Sequence, residues 1–352
     1  MQKLFFTLVF SFFTLSSFAH EGMWIPSLIK MYYPQMKADG LKLSADQIYN
    51  INSSSLKDAV IHFNGGCTSE IVSDKGLILT NHHCGFGAIQ SHSTVEKDYL
   101  KNGFWAKSLE EELMNEGMTA TRIVRIDDVT SEVLDGLTAE MESAQYQMKK
   151  RENYNKIISA AIEGTHYEAE IESYDYGNSF FIIVKEVFKD IRLVGTPPTE
   201  IGKFGGDTDN WVWPRHTGDF SVFRIYVGKD NKPAEASKEN IPYTPLHYFP
   251  ISLLPKNVGD FTMVYGFPGR TEEYISSARL KYIMKTERPM RIAMRDKTMS
   301  VIKAAMRSND ELNLKYAAKQ ARIANAWKKW KGQLIGLTNI DAIGVKEAYE
   351  DE

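Results

Sequence analysis

Cysteine occurs only twice in the 352 residues, at Cys67 and Cys84, and histidine eight times. No Cys-x-x-Cys and no His-Glu-x-x-His pairing exists, which excludes the common zinc motifs. No run beyond residue 19 is long and apolar enough for a membrane span, which takes roughly 20 residues. Neither sign of charge dominates: 42 Lys and Arg stand against 45 Asp and Glu, a net charge of -3. The basic stripe that nucleic-acid binding demands is therefore lacking. Internal repeats and low-complexity tracts are lacking as well.

What is present begins with "MQKLFFTLVFSFFTLSSFA", residues 1–19, with one early lysine, an apolar and hydroxyl run, and small residues at Ser17 and Ala19. That pattern predicts a secretory signal peptide cleaved after Ala19. In an oxidising compartment, two cysteines closing a short loop predict a disulfide, Cys67 to Cys84. In the chain-entropy model such a loop contributes on the order of 3 kcal/mol.

Short β-rich runs, "AVIHF", "CTSEIV" and "LILT", alternate with turn chemistry from Asp58 to Thr80. Asp-Lys-Gly predicts a hairpin, with Gly76 taking the positive φ of a tight turn. "LEEELMNEG" and Ser131 to Ile158 read as helical. Strands are expected again at "HYEAEIES", "FFIIVKEV", "IRLVG", "FSVFRIYVG" and "DFTMVYGFPG", whose spacing suits a small barrel or sandwich. From about Ser276 the chain is almost wholly helix-forming, with Pro289 and the "SND" cap near Ser308 as punctuation. The domains expected are thus 20–275, mainly β with a helical insertion, and 276–352, all helical. The chain ends in "KEAYEDE" within helical character, and no closing cap or core partner is expected there.

The stretch "LILTNHHCGF", Leu77 to Phe86, sets His82 and His83 directly before Cys84 at what reads as a strand end. A metal would need both rings on one face, whereas neighbours on a strand point oppositely. Taken alone, the pair suits one buried, hydrogen-bonded ring and one solvated ring. A histidine followed by a disulfide cysteine at a strand end also resembles the "AAHC" segment of chymotrypsin-like serine peptidases. That resemblance makes His83 a general base. A base needs an acid to fix its tautomer. "GGDTDNWVWPRHTGDFSVFRIY" offers Asp207, Asp209 and Asp219, and Asp219, just before a strand, is favoured over Asp207. Turn chemistry alone accounts for Asp207 and Asp209, and Trp211 and Trp213 also suit an ordinary core.

The segments "EGMWIP", "GGCTSEIVSDKGLILTNHHCGFGAIQ", "DYLKNGFWAKSLEEEL", "GGDTDNWVWPRHTGDFSVFRIY" and "YGFPGRT" together resemble one family. It is the exported bacterial serine dipeptidyl-peptidases, number forty-six in the serine peptidase series. The resemblance implies a chymotrypsin-like double barrel with a helical domain inserted between the barrels. It implies His83 as base, Asp219 as acid, and Asn210 and Trp211 at the free α-amino group of the substrate. An amide oxygen accepts from an ammonium and an indole face attracts a cation. The substrates implied are oligopeptides with a free N-terminus; no metal or organic cofactor is implied. Residence in a Gram-negative periplasm or envelope follows from the signal peptide and the resemblance, and a homodimer from the resemblance alone.

One departure stands out: no Gly-x-Ser-Gly-like nucleophile segment occurs, and nothing after residue 275 reads as a second barrel. The expectation is therefore an N-terminal portion, inactive alone, comprising the first barrel and the start of the helical domain. Two alternatives are a catalytically inactive peptide-binding pseudo-enzyme and a fragment of a secreted chymotrypsin-like endopeptidase.

Overall fold

The computed structural model describes residues 23–205, 211, 214–269, 272 and 274–352. The expected signal peptide, Asp207, Asp209, Asn210 and Trp213 lie outside the described residues.

The strands are β1 (Val60–Phe63), β2 (Cys67–Ile71), β3 (Leu77–Thr80), β4 (Phe104–Trp105), β5 (Leu113–Met114), β6 (Ala120–Asp128), β7 (Glu168–Tyr174), β8 (Ser179–Phe188), β9 (Asp190–Thr196), β10 (Ser221–Val227) and β11 (Ile241–Pro242). They form one large antiparallel sheet in the order β4, β9, β10, β3, β2, β1, β6, β8, β7. The short β5 and β11 pair with β9 and β10. The expected hairpin joins β2 to β3, paired at Glu70 with Leu79 and Ile71 with Ile78, and Gly76 has φ +61°.

Alternation explains how the sheet finds its core. Phe223, Ile225 and Val227 of β10 point inward with Ile191 and Leu193 of β9. Ile61 and Phe63 of β1, and Phe188 at the end of β8, reach the same cluster from the other side of the strand order. A flat sheet could not bring them together, so this one curls around them. Each such side chain contributes roughly 1.5–3 kcal/mol by leaving water. A second cluster sits under the helix Ser143–Ile162, where Tyr154 and Ile158 pack on Phe180, Ile182 and Val133. Between the clusters, buried Arg122 of β6 bonds both Asp58 and Glu186, so neither carboxylate is left unpaired.

Local expectations fail where a partner decides the outcome. "LEEELMNEG" forms only a 3-10 turn, Leu109–Glu111, and the strand β5, because β9 offers Leu113 and Met114 a ladder. "DFTMVYGFPG" is strand-like in composition yet carries no strand: no neighbouring chain among the described residues completes a ladder. Val258 and Val264 stand fully exposed, while Phe261 and Tyr265 cover the N-terminal cluster of Ile29, Met36, Leu41 and Ile48.

Helices dominate from Ser277 onward. Pro289 directly follows the π-helical turn Ile283–Glu287, a local break in the α-helical ladder of the kind that accompanies proline inside a helix. Asn309 ends that helix and caps the next, Asp310–Asn339, by accepting from the Leu312 amide at 2.8 Å. The tail is not without a partner, contrary to expectation. Glu350, in the helix Ala342–Asp351, accepts from the amide and hydroxyl of Ser277, both at 2.6 Å, and so caps the first helix of the region. The helices also grip the sheet region: Gln90 exchanges hydrogen bonds with Lys315 and Ala318, and Leu314 and Ala317 join the main core.

Candidate active site

Register builds the site. β3 and β10 pair with Thr80 opposite Ser221 and Leu79 opposite Val222, so the chain leaving β3 meets the chain entering β10. Asn81 follows the one strand and Asp219 precedes the other. The residues after Thr80 continue as a helix, His82–Ser91, and not as the end of the strand that the sequence suggested. The two histidines still diverge, because successive residues in a first helical turn face different ways: His82 is buried and His83 is exposed.

Asp219 closes this corner. Its Oδ2 lies 2.8 Å from His83 Nδ1, and its Oδ1 accepts from the His83 backbone amide at 3.0 Å. Asn81 has the residue type of a favoured N-cap, yet its side chain does not cap the helix. It donates instead to the Asp219 carbonyl at 3.1 Å, and Asp219 takes over the capping. A carboxylate at a helix N-terminus also gains from the helix dipole. Ser221 is fully buried and donates to the Asn81 carbonyl at 2.9 Å, so its hydroxyl is committed to holding the corner.

The electrostatics fix the protonation pattern. Burial favours the neutral Asp219 carboxyl, but hydrogen bonding and positive charge from His83, with Arg215 at 3.3 Å, outweigh it and hold the group below the usual carboxylate range. An ionised Oδ2 can only accept, so Nδ1 of His83 is the donor, and in the neutral ring the lone pair lies on Nε2. No described residue bonds Nε2, and the His83 side chain is 57% exposed against 10% for Asp219. The arrangement is an oriented base with its reactive nitrogen facing outward.

The Cys67–Cys84 disulfide ties β2 to the helix at the residue after His83. Cys67, Cys84 and His83 bring potential metal ligands within 4.8 Å of one another. Both sulfurs are bonded to each other and Nδ1 is engaged by Asp219, so the trio is not a ligand set in this oxidised form. Gly85 is forced by close approach, since a Cβ there would fall 2.6 Å from Ser221 Oγ.

Trp211 lies on the helix-facing side. Its backbone is left-handed, φ +64°, and its indole Nε1 donates to Asn325 Oδ1 at 2.8 Å. Lys329 Nζ stands 5.7 Å from the ring centroid. A second cation on that face would meet like charge. Asn325 and Lys329 escaped sequence reasoning: Asn325 lies 114 residues beyond Trp211, and nothing local marks it. A cleft of about 1470 Å³ adjoins the corner, lined by Glu70, Thr80, Asn81, Phe220, Trp24 and Phe261. Burial raises the Glu70 carboxyl above its ordinary value.

Comparison with known proteins adds independent findings. A family model described as Peptidase S46 matches residues 19–352. The match runs across that whole range, and the expectation of an N-terminal portion is not borne out by it. An Asp/Glu-specific dipeptidyl-peptidase of Capnocytophaga gingivalis is 53% identical over 94% of this chain and 46% of the relative. The dipeptidyl-peptidase 7 of Phocaeicola vulgatus is 44% identical over 96% of this chain and 48% of the relative. The crystal structure of Porphyromonas endodontalis DPP11 in complex with the dipeptide Arg-Asp superposes with TM-score 0.88 at 39% identity, covering 94% of this chain and 48% of that one. The chain spans about half the length of the curated relatives it matches.

Proposed function

This chain belongs to the peptidase S46 family, and from that premise we propose that it supplies the base and the acid of a serine dipeptidyl-peptidase. The observation that carries the reading is the His83–Asp219 pair, with Nδ1 tied to a buried carboxylate at 2.8 Å and Nε2 left to the exposed side. In this reading the nucleophilic serine and the oxyanion donors lie outside these 352 residues. Ser221 is unsuited, being buried and already donating to Asn81.

The chemistry follows from that geometry. As the serine oxygen attacks the carbonyl carbon of the second substrate residue, its proton passes to Nε2 of His83. Collapse of the tetrahedral intermediate breaks the C–N bond, and the same proton leaves with the new amine. Water repeats the sequence: one proton goes to Nε2, its oxygen attacks the ester, and the serine departs as the proton returns to it. Asp219 stays ionised throughout and stabilises the transient imidazolium. Asn210 and Trp211 hold the substrate amine, which places the scissile bond after the second residue.

Architecture and address belong to the same proposal. The strands curled around the main core are the first of two chymotrypsin-like barrels, 20–275 and 276–352 are two domains packed against each other, and the protein is exported to a Gram-negative periplasm or envelope. The absence of any described helix long and apolar enough to cross a membrane is compatible with that address. Substrates with Asp or Glu at the second position are preferred. The support is that two Asp/Glu-specific relatives, at 53% and 52% identity, stand above the dipeptidyl-peptidase 7 relatives at 42–44%, while two other Asp/Glu-specific relatives stand level with those at 42% and 41%.

The test uses the complete protein and fluorogenic dipeptides ending in Asp, Glu or Leu, each with a free or an acetylated amine. Release from the free acidic dipeptides alone is the expected result. Cleavage inside blocked peptides would establish the endopeptidase alternative, and no turnover by oxidised, folded protein would establish the pseudo-enzyme.

A further inference from the structure

His83 faces Asp219, but its neighbour His82 faces inward, and the chemistry above makes no use of it. His82 is 1% exposed, and among the described residues its Nε2 has no hydrogen-bond partner. Leaving a buried imidazole nitrogen unpaired costs roughly 1–3 kcal/mol, so a phenyl ring or an aliphatic chain would fill the space at lower cost.

The packing of the ring suggests what it does. It meets Phe86 edge-on at 5.4 Å and lies hard against Gly202, where a Cβ would come within 2.4 Å of Cγ and Cδ2. Gly202 ends the turn Thr199–Gly202. Thr217 Oγ1 donates to the carbonyls of Ile201 and Gly202, at 3.2 and 3.0 Å, and the Gly218 amide donates to Ile201 at 3.0 Å. The next residue is Asp219. The contacts thus form a closed circuit: from the His82 ring to Gly202, through Thr217 and Gly218 to Asp219, and back to His83.

We propose that His82 is a positioning residue whose neutral ring props the 199–202 turn and so aims Asp219 at His83, and that protonating it removes the prop. Its catalytic meaning rests on the function proposed above. The charged groups bearing on the ring are Asp219, which favours protonation, and His83 and Lys203, which oppose it. Burial, joined by His83 and Lys203, outweighs Asp219 and pushes the group down to about 4. Because the folded value lies below the free value of 6.5, the folded state is fully favoured above 6.5 and loses that advantage as pH falls toward 4.

The experiment is nitrogen-15 histidine NMR on the chain across pH, following the His82 midpoint and the His83 Nδ1–H signal that reports its bond to Asp219. In wild type the His83 signal should vanish as His82 titrates. Gly202→Ala should displace the ring, erase the His83 signal at neutral pH and raise the His82 midpoint by more than one pH unit, with the disulfide and far-ultraviolet circular dichroism intact. His82→Phe, which cannot be protonated, should keep the signal at least one pH unit further into acid. An unchanged His83 signal in Gly202→Ala, or one that survives protonation of His82 in wild type, would overturn the proposal. Neither readout depends on turnover, so an active His83→Ala in the complete protein would sink the catalytic reading and leave this result standing.

Discussion

At the His83 corner, strand register, a helix cap, a disulfide and a buried serine all converge on two side chains. At Trp211, one indole hydrogen bond reaches across 114 residues to a helix, and the backbone is left-handed at a bulky residue. Left-handed backbone at such a residue costs of order 1–3 kcal/mol and persists only where its surroundings impose it. The corner is over-determined by the sheet, whereas the Trp211 side chain is tied to a helix. On the function proposed above, chemistry and substrate anchoring are separable faults: damage to the sheet side should lower turnover, and damage to the helix side should weaken binding.

The sharpest way to break that separation is Asp219→Asn in the complete protein. An amide N–H facing Nδ1 imposes the wrong tautomer, and kcat should fall about 10⁴-fold with KM little changed. A rise in KM with kcat preserved would place Asp219 in binding and merge the two regions. Next in size is the double change Cys67→Ser, Cys84→Ser, expected to remove about 3 kcal/mol of stability in denaturant titrations and to lower kcat more than it raises KM. Asn325→Ala tests the other side: losing one hydrogen bond worth about 1.4 kcal/mol should raise KM roughly tenfold and weaken the preference for a free amine, at unchanged kcat. The smallest effect is the control, Asn309→Ala, which should cost about 1 kcal/mol in thermal unfolding through the lost cap and leave kinetics alone. A kinetic effect there would mean that the helices transmit strain to Trp211 as a body.

Much of this was legible in the sequence because its causes are local or carried by specific motifs. The hairpin at Gly76, the Asn309 break and the alternation of "FSVFRIYV" each follow from residues within a few positions of one another. The pairing of His83 with Asp219 needed the family resemblance, since 136 residues separate them and only sheet register brings them together. What escaped depends on partners that no local pattern names. The segment "DFTMVYGFPG" has strand composition without a ladder, and "LEEEL" has helix composition beside a strand that captures its end. Asp219 as a cap, Asn325 beneath Trp211, and Glu350 on Ser277 are likewise contacts between distant stretches.

The exposed stretch between Ile251 and Val264 has a colloidal consequence. Ile251, Leu253, Leu254, Val258 and Val264 present apolar surface to water on backbone that makes no ladder. Unpaired backbone beside apolar side chains is a template for edge-to-edge association. Light scattering by this chain should therefore climb with protein concentration well below its unfolding temperature, and mild detergent should suppress the climb. Storage conditions, rather than thermal stability, would then limit how long the purified chain remains usable.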